Sequence, residues 1–456
     1  MRISGKNVLV CGAGISGIGC LKLLYGTDAH VTLFDNGKGA DLGKIREKIE
    51  NNGMSADRIG IVLHELTEEL IEKTDLAVLS PGIATDQPFV LRLKEAGIPV
   101  WSEIELAYEC SRGTVVGITG TNGKTTTTTL TGEIMAAYFR SVFVVGNIGN
   151  SYTSEAAKTE EDSVIVAELS SFQLETIDKF RPHVAAMLNI TPDHLDRHHT
   201  MEAYAGAKEN IFRNQTAGDF AVLNYADTAV RAMADRVSSK VTWFSSGPVP
   251  PCGYYYKDGM IFRVKDGRIE EYIASSDIKI LGVHNMENVM AAAAIAECMN
   301  VPDEVTLRVI RGFEGVEHRI EFVKELNGVT FYNDSKGTNP DAAIKAVEAM
   351  IRPTVVIGGG YDKHIAFDEW IESFGTKVKH LVLIGQTREM IADCAKAHGF
   401  NSITMADSLE EAVKIAYNHA EPGYAVLLSP ACASWGMFDN YEQRGRMFKD
   451  FVRALR

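Results

Sequence analysis

The chain has 456 residues, 45% of them hydrophobic, and a formal net charge of −14. This length predicts two or three domains with substantial cores, and no uninterrupted apolar run reaches the roughly 18 residues that would predict a membrane span. The acidic balance argues against a general nucleic-acid binder, since such binding depends on Lys and Arg contacts to phosphates. A phosphorylated small substrate remains possible, because it needs only a few local cations.

The seven cysteines are scattered, with no C-x-x-C pair. This usage is typical of a protein from the reducing cytoplasm. Arg2 and Lys6 precede an apolar stretch and imitate a secretory signal, but four glycines interrupt that stretch. A strand, a turn and a helix explain these glycines better than a signal peptide does.

In the first block of the chain, short β-branched runs alternate with helical patterns. This alternation predicts an α/β domain with a mainly parallel sheet. Its predicted strands are NVLVCG (7–12), HVTLFD (30–35) and LAVLSPG (76–82). Gly12, Gly14 and Gly17 match the dinucleotide fingerprint G-x-G-x-x-G, and Asp35 lies where an acidic residue would hold a ribose hydroxyl. By itself this fingerprint is weak evidence for a nicotinamide or flavin cofactor.

A second block shows the same alternation. Its predicted strands are TVVGITG (114–120), VFVVGNIG (142–149), VIVAELSS (164–171), VAAMLNIT (184–191) and FAVLNY (220–225). Residues 241–282 have a different residue pattern. This segment predicts small antiparallel strands in an insertion or flanking sheet, formed by VTWFSS, YYYKDGMIFRV and EEYIA. NMENVMAAAAIAECM (285–299) predicts the helix that closes this block.

GITGTNGKTTTTTL joins a predicted strand to a predicted helix, as the phosphate cradle of P-loop enzymes does. We expect the backbone N–H groups of residues 120–124 to face phosphates, Lys124 to reach the terminal phosphates and Thr125 to offer its hydroxyl to Mg²⁺. Ile118 stands where the strict motif has its first glycine. The threonines at 125–129 are poor helix formers, so contacts beyond local propensity should hold this turn.

Acidic and histidine side chains follow the next two predicted strands. Glu168 ends the strand VIVAE, where a P-loop fold places a carboxylate near Mg²⁺, although a solvated strand-end Glu fits equally well. The later segment is crowded with possible ligands: Asp193, His194, Asp196, His198 and His199. Without an H-x-x-x-H helix or a cysteine partner, a hard-cation site with oxygen ligands is favoured over zinc. We interpret His198 and His199 as exposed loop histidines.

The third block begins near Arg319. Its predicted strands are VTFYNDS (329–335), TVVIGGG (354–360), HLVLIG (380–385) and YAVLLSPACAS (424–434). Their polar ends are where α/β folds gather ligand-binding groups. Arg319, Lys336 and Lys363 are the local cations that an anionic substrate requires, although each alone also fits an ordinary surface charge.

Seven motifs, TGTNGKTT, ELSSFQLE, DHLDRH, HNMEN, HR, NDSKGTN and SPACAS, occur in the order found in the Mur ligases. The chain resembles this family of ATP-dependent, amide-forming enzymes of peptidoglycan precursor synthesis over essentially its whole length. The resemblance implies three α/β domains. They are a Rossmann-like domain for the UDP group (1–103), a central P-loop ATPase-type domain with a mainly parallel sheet (104–316) and a C-terminal Rossmann-like domain that receives the amino acid (317–456).

The resemblance also implies roles for individual residues. ATP would contact Gly120, Thr121, Asn122, Gly123, Lys124, Thr125, Thr126, Asn288, Arg319, Asp334 and Lys336. The UDP substrate would contact Ile15, Ser16, Asp35, Gly82 and Asn147, and the amino acid Thr338, Lys363, Ser434 and Tyr441. Two Mg²⁺ ions would be held by Thr125, Glu168, His194 and Lys208. The expected catalytic residues are Lys124, Glu168, His194 and Lys208.

In this family the lysine at position 208 is carbamylated, which turns a cation into an anionic oxygen ligand. Without the resemblance, Lys208 would be interpreted as a helix-surface lysine. The implied reaction adds D-glutamate to UDP-N-acetylmuramoyl-L-alanine through an acyl phosphate. We expect a bacterial, cytoplasmic monomer without nucleic-acid partners or membrane insertion.

Two segments depart from the family pattern. Gly37 and Lys38 follow Asp35, and WGMF (435–438) follows SPACAS. The nucleotide contacts after Asp35 and the lining of the amino-acid pocket are therefore open. The D-N-P-R motif of members that add meso-diaminopimelate is absent from the sequence, which favours D-glutamate.

Three alternatives remain at this stage. An NAD(P) oxidoreductase built on the opening fingerprint leaves TGTNGKTT unexplained. A P-loop motor or regulatory NTPase would show ATPase activity stimulated by a partner and indifferent to a UDP-sugar or D-glutamate. Within the ligase class, another Mur ligase or the related folylpolyglutamate synthase shares the motifs.

Overall fold

The computed structural model describes residues 3–147, 150–363 and 365–456, apart from the side chain of Asp196. Arg2, Ile148 and the Asp196 carboxylate, which enter the sequence-based predictions, lie outside the described residues. The fold is α/β with three separate sheets, which confirms the predicted class. The chain forms two compact units, Met1–Ser275 with Glu287–Ile310, and Ser276–Met286 with Arg311–Arg456. The domain boundaries at 103 and 316 stay a prediction.

The first sheet lies in the first unit and is wholly parallel, with the order β3-β2-β1-β4-β5. Its strands are Asn7–Cys11 (β1), His30–Asp35 (β2), Gly60–Leu63 (β3), Leu76–Leu79 (β4) and Val100–Ser102 (β5). The accompanying helices are Ile15–Tyr25 (α1), Leu42–Asn51 (α2), Glu68–Lys73 (α3), Pro88–Glu95 (α4) and Glu103–Cys110 (α5). The three predicted strands are confirmed, whereas the short strands β3 and β5 were not predicted.

The second sheet also lies in the first unit and has the order β14-β13-β12-β11-β10-β9-β6-β8-β7. Its strands are Thr114–Thr119 (β6), Val142–Gly146 (β7), Val164–Glu168 (β8), Val184–Met187 (β9), Phe220–Asn224 (β10), Lys240–Ser245 (β11), Gly253–Lys257 (β12), Met260–Lys265 (β13) and Arg268–Ala274 (β14). The helices are Lys124–Ala136 (α6), Tyr152–Glu155 (α7), Ser171–Leu174 (α8), Leu195–His198 (α9), Met201–Glu209 (α10), Thr228–Arg231 (α11), Val283–Cys298 (α12) and Asp303–Gly312 (α13).

One prediction for this sheet is wrong. The strand of VTWFSS, β11, pairs in parallel with β10, and β12 pairs in parallel with β11. The helical crossover through α11 returns the chain in the same direction, which gives a parallel pair. The antiparallel pairs of this sheet are β12 with β13 and β13 with β14. The two-residue turns between them, Asp258–Gly259 and Asp266–Gly267, have positive φ at both positions, and such turns favour a hairpin.

The third sheet lies in the second unit, with the order β15-β16-β20-β17-β18-β19. Its strands are Glu321–Leu326 (β15), Val329–Asn333 (β16), Thr354–Gly358 (β17), Val378–Leu383 (β18), Ile403–Met405 (β19) and Ala425–Leu428 (β20). The helices are Pro340–Ala349 (α14), Asp368–Glu372 (α15), Arg388–Ala397 (α16), Leu409–His419 (α17) and Tyr441–Ala454 (α18). Only the edge strand β15 is antiparallel, and β15 and β19 were not predicted.

The threonine-rich start of α6 shows how packing overrides propensity. Thr127, Thr128 and Thr131 are fully buried, and α6 packs against β7 and β8. Burial of these side chains in the packed helix stabilises a helix that local preference alone would not form. None of the helices in the described chain is long and apolar enough to cross a membrane. All seven cysteines are free thiols.

Candidate active site

The loop at residues 120–126 joins β6 to α6 and depends on two glycines. Gly120 and Gly123 have φ values of 151° and 85°. A Cβ at Gly120 would lie 2.9 Å from Cβ of Leu188, and one at Gly123 would collide with Oδ1 of Asn288. Both positions therefore require glycine. The predicted contact residue Asn288, on α12, is thus packed directly against this loop.

Asn189, which the sequence analysis did not single out, fixes the loop from the end of β9. Its backbone oxygen accepts the Thr121 N–H at 2.9 Å. Its side chain accepts the Asn122 N–H at 2.8 Å and donates to the Asn122 oxygen at 3.1 Å. Two of the five amides expected to face phosphates are therefore bonded to Asn189 in this conformation. An asparagine directly after a buried strand, facing a glycine loop, was the signal available in LNIT.

Two lysine side chains converge on the Gly120 carbonyl. Nζ of Lys124 donates to this oxygen at 2.9 Å, and Nζ of Lys208 donates to it at 2.8 Å. Burial first, and then the Lys124 charge, lowers the pKa of Lys208 to about 7. The negative charges of Asp193 and Glu168 raise this pKa and so offset part of the decrease.

Lys208 is only 2% exposed, so its interpretation as a helix-surface lysine is wrong. The helix α10 turns one face towards the loop. On that face Tyr204, one turn before Lys208, has its hydroxyl 3.0 Å from Oγ1 of Thr121. A spacing of four residues places Tyr204 and Lys208 together, and this face is buried against the loop. Sequence periodicity gave no sign of it, because the apolar residues of α10 other than Met201 and Tyr204 are small alanines.

Glu168 ends β8 beside the loop, since β8 pairs with β6 and places Glu168 opposite Ile118. The side chain is 1% exposed, so the alternative of a solvated strand-end Glu is wrong. Oε1 accepts from Nδ2 of Asn147 at 3.1 Å. Oε2 is buried and has no hydrogen-bond partner among the described residues. A buried carboxylate oxygen without a partner is unfavourable unless a cation or a donor occupies the space before it.

The histidines of DHLDRHH separate into two environments. His194 has a positive φ of 51°, is exposed, and lies with its ring 4.9 Å from that of Phe172. His198 is buried, contrary to our prediction, with Nε2 2.9 Å from Oγ of Ser171 and Nδ1 3.4 Å from Oε1 of Glu175. Residues 195–198 form the helical turn α9, which directs His198 inward, whereas His199 remains exposed as predicted.

Arg197, a second residue that sequence reasoning missed, connects this segment to the first sheet. Its guanidinium donates to Oε2 of Glu175 at 2.7 Å and to the oxygen of Ile83 at 3.0 Å. Ile83 follows Gly82 in the SPGIA loop after β4. The predicted UDP contact Gly82 is thereby linked to the segment that carries His194.

In the first glycine loop, between β1 and α1, a carboxylate accepts backbone hydrogen bonds. Oδ2 of Asp35 accepts the Ala13 N–H at 2.7 Å, and Oδ1 accepts the Gly37 N–H at 2.8 Å. Gly12 has φ 100°, and a Cβ on Gly17 would collide with the Gly12 oxygen. The glycines therefore shape the turn, and Asp35 is a structural acceptor within it.

A cleft of about 390 Å³ lies beside α1 in the first unit. It is lined by Ala13, Gly14, Ile15, Ile18, Gly19, Lys22, Lys48, Asn52, Ser151 and Ser154. The predicted UDP contact Ile15 lines it and is 90% exposed, whereas Asn147 is bonded to Glu168 instead. An exposed isoleucine beside two lysines suits a ligand with an apolar face and a negative charge.

In the second unit, NDSK lies at the end of β16. Oδ2 of Asp334 accepts from Oγ of Ser429 at 2.8 Å. Burial, partly offset by Ser429 and then Arg319, raises the pKa of Asp334 to about 7. Nζ of Lys336 lies 5.5 Å from the ring centre of Tyr441. The structure thus places four predicted contact residues of this unit close together: Arg319, Asp334, Lys336 and Tyr441.

Arg444, which sequence reasoning also missed, is fully buried beneath these residues. It donates to the oxygen of Ser335 at 2.8 Å and to that of Cys432 at 3.1 Å. It therefore ties NDSK to SPACAS. Its position on an amphipathic helix, α18, made it look like one more surface charge.

The remaining predicted amino-acid contacts cluster around SPACAS. Nζ of Lys363 lies 5.0 Å from the ring centre of Trp435, which also packs edge-on against Tyr361. Ser434 is buried, and Thr338 follows Lys336 in a tight turn. The sequence left the role of Trp435 undecided, and in the structure its ring packs beside the ammonium group of Lys363.

Models of known families match almost the whole chain. The Mur ligase MurD-like, N-terminal domain matches residues 6–102, the Mur ligase middle domain residues 118–296, and the Mur ligase, glutamate ligase domain residues 318–432.

Curated proteins named "UDP-N-acetylmuramoylalanine--D-glutamate ligase" are similar over the full length of both chains. The protein from Lachnospira eligens is 53% identical over 456 residues, and that from Lachnoclostridium phytofermentans is 50% identical over 457.

Solved structures share the fold at low sequence identity. UDP-N-acetylmuramate-alanine ligase MurC from Thermotoga maritima gives a TM-score of 0.60 at 18% identity, covering 98% of this chain and 99% of its own. A MurF ligase from the same organism, solved in complex with ADP, gives 0.59 at 17% identity, covering 99% and 96%.

Proposed function

This chain belongs to the Mur ligase family, and we propose that it is an ATP-dependent ligase joining D-glutamate to UDP-N-acetylmuramoyl-L-alanine. The observation that carries the proposal is the buried Lys208, which shares the Gly120 carbonyl with Lys124 beside Glu168. A purely structural glycine turn has no need of two cations and a partnerless carboxylate oxygen. A site that binds and transfers a phosphoryl group does.

The reaction explains why ATP is consumed. A carboxylate cannot release oxide, so the alanyl carboxylate first attacks the γ-phosphoryl group, which gives an acyl phosphate and ADP. The uncharged amine of D-glutamate then attacks the acyl carbon. The amide bond forms, phosphate leaves with the bonding electron pair, and the amine releases a proton. Positioning and charge neutralisation dominate the first step, which suits Lys124 and the loop at 120–126.

The residues around Glu168 fit Mg²⁺. The partnerless Oε2 is an oxygen ligand of the type this ion prefers, and Thr125 offers a hydroxyl at the first turn of α6. We propose that Thr125 and Glu168 hold one ion and that His194 and Lys208 hold a second. Bound Mg²⁺ would neutralise charge on the phosphates. His194 offers nitrogen, a softer donor, so it should add less affinity than the carboxylates.

Carbamylation of Lys208 accounts for its surroundings. A buried ammonium beside Lys124 is disfavoured, and the lowered pKa leaves a large fraction of the amine neutral near pH 7. The neutral amine can add CO₂ and lose a proton, which gives an anionic carbamate. This change would replace a repelled cation with an oxygen ligand for Mg²⁺.

The remaining predicted contacts are proposed on the same basis. Asn288, Arg319, Asp334 and Lys336 would contact ATP. The UDP-sugar would lie at Ile15, Ser16, Asp35, Gly82 and Asn147, and D-glutamate at Thr338, Lys363, Ser434 and Tyr441. We further propose that the protein is a monomer, which its elution volume and scattering mass would test.

An amino-acid panel tests the function. The protein is incubated with ATP, Mg²⁺ and UDP-N-acetylmuramoyl-L-alanine, and phosphate release is measured with each amino acid in turn. We expect release with D-glutamate and only background with L-glutamate, L-alanine, L-lysine and meso-diaminopimelate. Release with a different amino acid would identify another Mur ligase. ATP hydrolysis that ignores both substrates would favour a regulatory NTPase.

The oxidoreductase alternative is not favoured, because Mur ligase models match the chain on both sides of the glycine fingerprint and through it. Its test is an absorbance change of NAD(P)H in the presence of the UDP-sugar. We expect none.

A further inference from the structure

A group of metal-binding side chains lies in the second unit, on helices that carry none of the residues assigned above. Asp368 begins α15, Cys394 lies in α16, and His398 directly follows α16. One ligand atom from each of these three residues lies within 4.8 Å of the other two. Nε2 of His398 is 2.9 Å from Oδ1 of Asp368.

Helical spacing explains why these side chains meet. Cys394 and His398 are four residues apart, so they lie on one face at the end of α16. The two helices pack against each other, which brings Asp368 to that face. A sulfur, a nitrogen and an oxygen donor therefore converge from two elements. The surface there is partly open to solvent, since Cys394 is half-buried and Asp368 is exposed.

A fourth residue faces the other side of the imidazole. Oε1 of Glu372 lies 3.5 Å from Nδ1 of His398. Histidines that bind metals usually donate their second N–H to a carboxylate, which fixes the tautomer and orients the ring. Glu372 is one helical turn after Asp368 on α15, so the same helix would supply a ligand and the carboxylate behind the histidine.

We propose that Asp368, Cys394 and His398 form a binding site for a divalent transition metal of the zinc class, with Glu372 orienting His398. Thiolate and imidazole ligands select zinc over Mg²⁺, which prefers oxygen. Three protein ligands leave the fourth tetrahedral position to water. Tetrahedral bonds of about 2.0–2.3 Å place ligand atoms about 3.3–3.6 Å apart. The Asp368–His398 pair has to open by a few tenths of an ångström, and the thiol has to approach them.

The same side chains could serve only as a hydrogen-bonded ion pair that joins α15 to α16. Without a metal the sulfur of Cys394 carries a proton, since an ordinary thiol is mostly protonated at neutral pH. A bound dication would displace that proton and add bonds between the helices. Because the metal binds the folded chain, it would raise the thermal stability with the logarithm of its concentration, once this concentration exceeds the dissociation constant.

Cobalt(II) distinguishes a metal site from an ion pair, because thiolate coordination gives a charge-transfer band in the near ultraviolet. The full chain is titrated with Co²⁺ in excess Mg²⁺, so that oxygen-rich sites are filled. We expect the band at one equivalent of Co²⁺ and its loss when Zn²⁺ is added. The matched variants are Cys394→Ser, which should lack the band, and Cys252→Ser, which changes another half-buried cysteine and should keep it.

Two outcomes would overturn the proposal. One is no thiolate band in the unaltered protein, and the other is an undiminished band in Cys394→Ser. Ligase turnover of Cys394→Ser without added transition metal should match that of the unaltered protein, which shows that the variant is folded. Loss of the charge-transfer band in Cys394→Ser, together with unchanged ligase turnover, supports the metal site.

Glu372→Gln tests the orienting role separately. Carboxylates behind metal-bound histidines are worth about 10–100-fold in metal affinity. We expect the dissociation constant for Zn²⁺, measured by competition with Co²⁺, to rise by that factor while the charge-transfer band keeps its position. An unchanged constant would overturn the role of Glu372, and a lost band would make it a direct ligand.

Discussion

The two glycine loops of the first unit are built alike and surrounded differently. Each connects a buried parallel strand to the first turn of a helix, β1 to α1 and β6 to α6. In the first loop a carboxylate, Asp35, accepts the backbone amide of Ala13. In the second, two ammonium groups, from Lys124 and Lys208, donate to the Gly120 carbonyl.

This difference shows what glycine motifs do and do not specify. The glycines allow a sharp turn and close approach to the backbone, and both loops use them for that purpose. The charge presented to a ligand comes from side chains far away in sequence, such as Lys208 and Glu168. The second loop therefore has two convergent cations that suit a polyphosphate, whereas the first has a carboxylate, an exposed isoleucine and the two lysines of its cleft, Lys22 and Lys48.

Lys124→Ala tests the second loop most directly and should have the largest effect. Loss of the cation leaves the terminal phosphates unpaired in the transition state, and we expect ADP formation to fall by at least ~10³-fold. ADP release is measured by a coupled assay. Lys257→Ala, which removes an exposed lysine at the end of β12, is the control and should retain full turnover. Near-normal activity of Lys124→Ala would show that the loop does not bind phosphates.

Lys208→Ala should lower turnover by ~10²–10³-fold, because the carbamate ligand is lost. Added short carboxylates such as acetate should restore part of the activity, since they can supply the missing oxygen. Lys208→Arg keeps the charge and cannot be carbamylated, so it should be inactive and resist rescue. An active Lys208→Arg would rule out the carbamate.

Lys208→Met should stabilise the apoprotein while inactivating it. The folded-state pKa of about 7 lies below the usual 10.5. The buried ammonium therefore costs stability, and this cost grows as pH falls from 10.5 to 7 and then levels off. We expect Lys208→Met to gain about 2 kcal/mol at pH 7 and little near pH 10.

Urea denaturation in CO₂-depleted buffer without Mg²⁺ measures this difference. Lys240→Met, at an exposed lysine of the same unit, is the control and should change stability by less than about 0.5 kcal/mol at either pH. A stability difference for Lys208→Met that does not depend on pH would contradict the assigned cause.

Asp35→Ala should affect the first loop alone and have the smallest effect. Two backbone amides lose their acceptor, which makes the ordered conformation of the loop less stable by about 1–1.5 kcal/mol. We expect KM for the UDP-sugar to rise about 5–10-fold while KM for ATP stays unchanged. Asp41→Ala, which removes the N-cap of α2, controls for a general loss of stability in this domain. An equal rise in both KM values would show that the loops do not act separately.

Much of the fold followed from pattern. Continuous apolar runs such as VIVAE predict buried parallel strands, and all the predicted strands of the first and third blocks are present. The strand in VTWFSS was assigned the wrong direction, because a run of β-branched and aromatic residues does not say which neighbour it pairs with. The short edge strands β3, β5 and β19 were missed, since three or four residues are too few to show a periodic pattern.

The candidate site was predicted less evenly. Lys124 and the glycines of its loop carry a local motif, so the sequence located them. Asn189, Arg197 and Arg444 act through backbone contacts to distant loops, and no local pattern marks such contacts.

The sequence by itself determined most of the strands, the two glycine turns and the family, because these depend on local spacing and composition. Only the tertiary structure decided which charges meet. Lys208 and His198 look like solvated side chains in sequence, yet packing of α10 and α9 buries both. Burial in a low-dielectric interior changes the free energy of a charge by several kcal/mol, and it depends on neighbours that are remote in sequence.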